Sequence, residues 1–504
     1  MVGIKVTTGV RVGPSGTNAA PASTLFLAGS AVRGPVNRAR LVLGMSQFES
    51  IYGPYSSSYT LWDNVKTFFE EGGTRCYVVR AMGATRAAAT VNVTASGGAT
   101  VLTLTAANPG TWANTTLSPL KYGLSAVVAV SGSEVTVTIK YQNETIWAGG
   151  PYSNETLADG STKYAKQAIV EAINSDPALT ELIVATVGPS TDLPAAATYD
   201  LISGTESAPV TADLVTALDL FDYDLGAGAV ALPGQYGSTA WNGLRDHAKN
   251  NRRIALCAHA VGTSKATAIT EAKAYWGSTA ASRTDASYMA FFWPSVKVPD
   301  GFGSTRDQSP EAYVAAARCR AHLAGGPWRV GAGAASAATY VTGLYEQVSR
   351  TAGDDLDNNR INALRVIDGA VRVYGARSIS ADEANWRFIT YRDTLNYITA
   401  QAEAALEPLV FSPIDGRGNL FGQIEAILTG LVDPIRAAGG LYEGFSAETG
   451  AQIDRGYSVE VSSSINSTAT LSLGQVNAVV GARVSPVADK INIRITKSAL
   501  TSPV

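Results

Sequence analysis

The stretch FFEEGGTRCYVVR, Phe68 to Arg80, decides how the rest of the chain is read. Just upstream, Leu61, Val65 and Phe68 fall on one face of a helix, and Gly72-Gly73 supplies its stop. RCYVVR is too short for a helix and rich in β formers, so it reads as a strand. In an extended chain Cys76, Val78 and Arg80 point one way, and Tyr77 and Val79 the other. Apolar residues on both faces mark a strand inside a parallel sheet. Arg75 and Arg80 sit at its ends, where they can reach water or a carboxylate. A reactive Cys76 thiol would need a base and a group to orient it, and the stretch offers neither; packing is the reading.

The neighbouring segments extend this pattern. STLFLAGSAVRGPVNRARLVLG holds two strand-like runs around Gly34-Pro35, which makes strand, helix, strand in close order, an α/β unit. The same rhythm returns from about 201 to 380. There GAGAVALPG, NRRIALCAHA and ASYMAFFWPSVKV are strand candidates, and SKATAITEAKAYWGS and SPEAYVAAARCRAHLAG are helices. Between the two α/β stretches, residues 87–200 are acidic and alternate at period two, with one helix in TKYAKQAIVEAINS. That is the signature of an inserted, solvent-facing β-rich domain.

Two helices follow. Phe388, Tyr391, Leu395, Ile398, Ala402 and Ala405 make an apolar stripe that ends before Pro408. Leu420, Ile424, Ile427, Leu431 and Ile435 make the second, stopped by Gly439-Gly440. Strand-like GYSVEVSSS and DKINIRITKS close the chain, the latter alternating Ile491, Ile493 and Ile495 with polar residues. At the other end Ile4 and Val6 flank Lys5, Val10 and Val12 flank Arg11, and Gly13 to Gly16 break the run. A lone strand is not stable, so each terminal strand docks on its own sheet or on another chain. The residues alone favour its own sheet.

Composition excludes several classes. The 504 residues exceed one ordinary core, which predicts two to four domains. Charged residues are only 16% and net charge is −3, so attraction to nucleic acid is not expected. Three cysteines without short spacing argue against a disulfide framework or a zinc knuckle. The start MVGIKVTTGVRVGPSG lacks the apolar core of a secretory signal, and no apolar run is long enough to span a membrane. The sequons at Asn92, Asn114, Asn143, Asn154 and Asn466 therefore read as β surface. No phosphate-binding, zinc-protease or nucleophile-elbow motif is present. Cys257 with His259, and Cys319 with His322, have the spacing of neighbours on a strand and on a helix. They are the basis for an alternative, a cytoplasmic α/β hydrolase using a Cys/His pair, although core packing is the plainer account. DDLDNN, Asp354 to Asn359, lacks the glycine and distal glutamate of a calcium loop and reads as a capped, solvated turn.

In this order the segments resemble the contractile tail sheath proteins of bacteriophages and related contractile injection systems. The resemblance rests on LAGSAVRGPVN, SQFESIYGPY, VKTFFEEGGTRCYVVRA, VALPGQ and AFFWPSVKV. It continues through PEAYVAAARCRAHLAGGPWRVGAG, NNRINALRVIDGAVRVYGARSIS and NWRFITYRDTLNYITAQAEAALEPLVFSP. It spans about 20–86 and 201–504. The resemblance implies a multidomain α/β architecture: an N-terminal arm (1–20), a discontinuous α/β core (21–86 and 201–380) and an inserted, barrel-like protruding domain (87–200). An α+β C-terminal domain facing the tube (381–487) and a C-terminal arm (488–504) complete it. It implies a non-enzymatic homo-oligomer of stacked hexameric rings in a virion tail, assembled in the host cytoplasm. Tail tube, baseplate and tail terminator proteins are its partners, with no cofactor, no metal, no direct nucleic acid contact and no membrane insertion. It also reverses the preference for the ends: Ile4, Val6, Val10, Val12, Ile491, Ile493 and Ile495 are expected in strands exchanged between chains. Arg436 and Glu443 bound the expected tube contact. A sugar- or cell-binding role for residues 87–200 is a further alternative.

Overall fold

RCYVVR forms the strand Arg75–Arg80, and its sequence neighbours are also its neighbours in space. The computed structural model describes residues 24–115, 123–300 and 303–493. Arg75–Arg80 pairs in parallel with Thr24–Gly29, Leu25 opposite Cys76 and Leu27 opposite Val78. On its other side it pairs antiparallel with Arg40–Val42. The sheet then continues through Gly228–Ala231, Arg253–Ala258, Met289–Trp293, Ile361–Ile367 and Ala370–Tyr374. Six parallel strands lie between one antiparallel strand at each edge.

Both faces of this sheet are covered, which is why its inner strands carry apolar residues on both faces. Leu25, Leu27, Cys76, Val78 and Leu256 pack on one side with Leu61, Val65 and Phe68 of the helix Leu61–Glu70. Tyr313 and Cys319 of the helix Glu311–Gly325 complete that layer. Phe26, Val79, Val230, Cys257 and Phe291 pack on the other side with the helices Thr211–Leu218 and Ser238–Asn250. The paired glycines have a steric cause: Gly72 has φ +89°, and a Cβ on Gly73 would lie 2.4 Å from the Phe68 ring.

Residues between the two halves of the sheet leave and return through a short antiparallel pair, Arg86–Ala87 with Thr205–Glu206. Beyond this neck, Ile183–Val187, Thr100–Ala106 and Thr90–Thr94 form one sheet. Ala197–Asp200, Leu124–Ser131, Glu134–Tyr141 and Glu144–Tyr152 form another. A bridge from Thr90 to Ile202 joins them at one edge. The barrel expected from the sequence is not closed by strand pairing among the described residues. The helix Ala165–Ser175 packs against both Ile183–Val187 and Glu144–Tyr152, occupying the gap where closure would occur. Its Ile169 and Ile173 join Leu102, Leu104, Ala126 and Ile139 in an apolar core of their own.

The two late helices are Ile389–Leu406 and Asn419–Ala437, and they pack together. Small hairpins follow, Gly444–Phe445 with Gln452–Asp454 and Tyr457–Glu460 with Val479–Ala482. DDLDNN is a correction. Asp354 to Asn358 belong to the helix Arg350–Asn358 rather than to a solvated turn. The Ser349 hydroxyl caps it by accepting from Ala352 N at 3.2 Å, and buried Leu356 holds it down.

Candidate assembly interface

Two places join separate parts of the chain, and a third leaves strand edges open. The first is the neck of residues 87–200. Arg80 ends the strand RCYVVR with its side chain 1% exposed, not in water. Its Nε donates to Ala31 O at 2.9 Å, and its Nη1 to Gly34 O at 2.9 Å and Pro109 O at 3.1 Å. Its Nη2 reaches the Glu206 carboxylate at 3.3 Å. The expected carboxylate is therefore present, but four backbone carbonyls share the guanidinium, that of Val32 at 3.4 Å being the fourth. Glu206 also accepts from Tyr59 OH at 2.5 Å and Thr111 Oγ1 at 3.0 Å. One buried cation thus ties the sheet, the loop after its first strand and both sides of the neck. The fork geometry of arginine suits such a multi-acceptor site.

The second place is the helix Ile389–Leu406. Of its expected apolar stripe Phe388 and Ile398 are buried and the rest half-buried, while polar Arg392, Asp393, Thr394 and Asn396 are buried as well. The core supplies their partners. Arg318 Nη2 contacts both Asp393 oxygens, at 2.6 and 2.5 Å. Burial raises the Asp393 pKa, with Arg318 opposing it. Arg392 donates to Ser287 Oγ at 2.6 Å and lies 3.8 Å over the Trp386 ring. Glu403 pairs with Arg252 and accepts from Tyr223 OH at 2.5 Å. Ile398 faces the other way, into a small core with Val432, Ile435 and Leu441, where Trp328 reaches across from the α/β part. A Cβ on Gly440 would lie 2.7 Å from the Trp328 ring, so the glycine permits this close packing.

The third place is the C-terminal hairpin region. Among the described residues Tyr457–Glu460 and Val479–Ala482 pair only with one another, and Val484, just beyond them, bridges to Leu441. Among the described residues their outer edges are open. A two-stranded sheet is marginal alone, and an open edge is a template for another strand. Tyr442, Phe445 and Ile453 are exposed nearby.

The site residues expected from the sequence divide between described and undescribed segments. Ile4, Val6, Val10, Val12 and Ile495 lie outside the described residues. Ile491 and Ile493 are described, carry no strand and are 81% and 80% exposed. Arg436 and Glu443 come together: Arg436 Nη1 lies 2.7 Å from Glu443 Oε1. Asp433, which the sequence did not single out, takes Arg436 Nε at 2.8 Å and Tyr457 OH at 3.0 Å. These hydrogen bonds raise the Arg436 pKa.

The Cys/His pairs are packing elements. All three cysteines are buried, and none of them forms a disulfide among the described residues. Burial raises the pKa of Cys76, Cys257 and Cys319. That is the opposite of what a nucleophile needs. His259 Nδ1 lies 2.9 Å from Glu271 Oε2 beside Trp241 and Phe291, and burial lowers its pKa. Burial likewise lowers that of His322, with Arg318 adding to the effect. No group of described His, Cys, Asp or Glu residues is placed to hold a metal ion. No described helix is long and apolar enough to cross a membrane.

No protein-family model and no curated protein sequence matches the chain. Solved structures do. The sheath tail protein of Listeria innocua is 13% identical with a TM-score of 0.62, covering 92% of each chain. The sheath of an extracellular contractile injection system, PVC, in its contracted state is 14% identical with a TM-score of 0.56, covering 99% of each. The contracted helical sheath of the anti-feeding prophage is 15% identical with a TM-score of 0.54, covering 98% of this chain and 100% of that one. Across nearly its whole length, the chain has the fold of sheath tail proteins of prophages and contractile injection systems.

Proposed function

We propose that the chain is the structural subunit of a contractile tail sheath. The observation that carries this reading is the end-to-end match to sheath chains, 99% of both chains in the PVC case. In this reading, subunits stack as hexameric rings around a tail tube and assemble in an extended, metastable state. They then rearrange to a shorter, wider one that drives the tube through a cell envelope. The free energy comes from interface gained per subunit and multiplied along the sheath. Subunits must then move as bodies while their links hold. The buried polar joints at Arg80 and Arg318 suit the first requirement, and the open hairpin edges suit the second.

The parts take roles accordingly. Residues 21–86 and 201–380 are the core, and 87–200 protrude outward. Residues 381–487 face the tube, with the loop from Arg436 to Glu443 as contact. The arms, 1–20 and 488–504, add strands to the open hairpin of a neighbouring subunit by β-augmentation. Baseplate and tail terminator proteins cap the ends of the stack, in a tail assembled in the host cytoplasm. Electron microscopy of purified protein tests this. Deleting residues 1–12 or 491–504 abolishes sheath tubes and leaves a folded monomer; normal tubes from either truncation contradict strand exchange.

A further inference from the structure

We infer that Asp489 and Lys490 form a charge clasp that seats the root of the C-terminal segment on the α/β part of its own chain. Residues from Ile491 onward then leave that fixed point toward a second copy. This onward step rests on the strand-exchange reading; the clasp itself does not.

The receptor is a patch built from two segments. Arg377 Nη2 lies 2.9 Å from Asp357 Oδ2, and its Nη1 lies 3.4 Å from Glu383 Oε1. Arg387 Nη1 is 3.1 Å from Glu383 Oε2, and Arg360 Nη2 is 3.2 Å from Glu383 Oε1. Three arginines thus face two carboxylates, leaving one positive charge. Asp489 pairs with two of these arginines, while Lys490 brings its own charge to Asp357, so cations and carboxylates alternate through the cluster. Asp489 Oδ2 sits 2.7 Å from Arg387 Nη2 and 3.8 Å from Arg377 Nη2. Next to it, Lys490 Nζ is 3.4 Å from Asp357 Oδ2.

Two features make this more than a chance surface pair. The Arg377 side chain is only 6% exposed and already oriented by Asp357, so little ordering is left when the tail docks. The contacts also stop abruptly. Past Lys490 no strand forms among the described residues, and Ile491 and Ile493 are almost wholly exposed. Ile491 and Ile493, left in water, call for a cover, and two open hairpin edges on an identical subunit offer one. A clasp in front of these residues fixes their exit point and shortens the search for the neighbour.

Hydrogen-exchange mass spectrometry on the full-length monomer tests the clasp. Amides of 487–490 exchange more slowly than those of 491–493. Asp489→Arg speeds exchange at 487–490 about fivefold, and 0.5 M salt, about three times physiological strength, acts in the same direction. The double variant Asp489→Arg with Arg387→Glu restores protection. Equal exchange across 487–493 in the unmodified chain, or no change in Asp489→Arg, overturns the clasp. Deleting 491–504 keeps protection at 487–490 and abolishes tubes. Tubes from that deletion overturn strand exchange alone, and lost protection in it overturns the clasp alone.

Discussion

Replacing Arg80 with methionine keeps the aliphatic bulk of the side chain and removes every donor. The carbonyls of Ala31, Gly34, Pro109 and Val32 then lose partners now at 2.9, 2.9, 3.1 and 3.4 Å. Each such bond contributes about 1 kcal/mol or somewhat more, because the donor is charged and the site is dry. Glu206 loses a cation but keeps Tyr59 and Thr111, which limits the cost of stranding its charge. The expected loss is about 4 kcal/mol. Arg80→Lys keeps the charge without the fork and loses roughly half of that. Urea unfolding followed by circular dichroism gives the total. Hydrogen exchange at Arg86–Ala87 and Thr205–Glu206 locates the damage, since the neck opens before the central sheet does. A loss below about 1 kcal/mol, with the neck still protected, refutes the reasoning.

Two further outcomes follow from burial. Burial pushes the Glu311 carboxyl up to about 7 from an ordinary 4.5. The folded state therefore holds a proton that the unfolded chain has released, and stability falls as pH rises from about 4.5 to about 7, by about 3 kcal/mol at most. Glu311→Gln removes that slope, which calorimetry at pH 5 and pH 8 reads directly. Cys76→Ala leaves a small void beside Leu25 and Val78, costs about 1 kcal/mol and leaves tube formation unchanged. A variant that folds with normal stability but forms no tubes gives Cys76 a role beyond packing.

The central sheet was readable because its signals are local. RCYVVR alternates its two faces within six residues, and the structure puts Cys76 and Val78 in one core and Tyr77 and Val79 with the other. Arg80 was half-readable. Its carboxylate partner was anticipated, but Glu206 lies 126 residues away, and backbone carbonyls leave no mark in a sequence. The helix Ile389–Leu406 shows a different limit. Periodicity found its apolar stripe, whereas Arg392 and Asp393 on the opposite side are buried because Ser287 and Arg318 meet them. A polar face looks solvated until its partners are placed. The same holds for DDLDNN, where Asp355 pairs with Lys265 and Asp357 with Arg377. The clasp at Asp489 has no local signal, since Arg387 is 102 residues away.

Cryo-electron microscopy of tubes assembled from the purified chain tests the sheath account most directly. A helical reconstruction is expected to show stacked six-subunit rings. Residues 491–504 of one subunit should add a strand to the Tyr457–Glu460 and Val479–Ala482 hairpin of its neighbour. A chain that forms no tubes, or tubes in which residues 491–504 fold back on the hairpin of their own subunit, contradicts it.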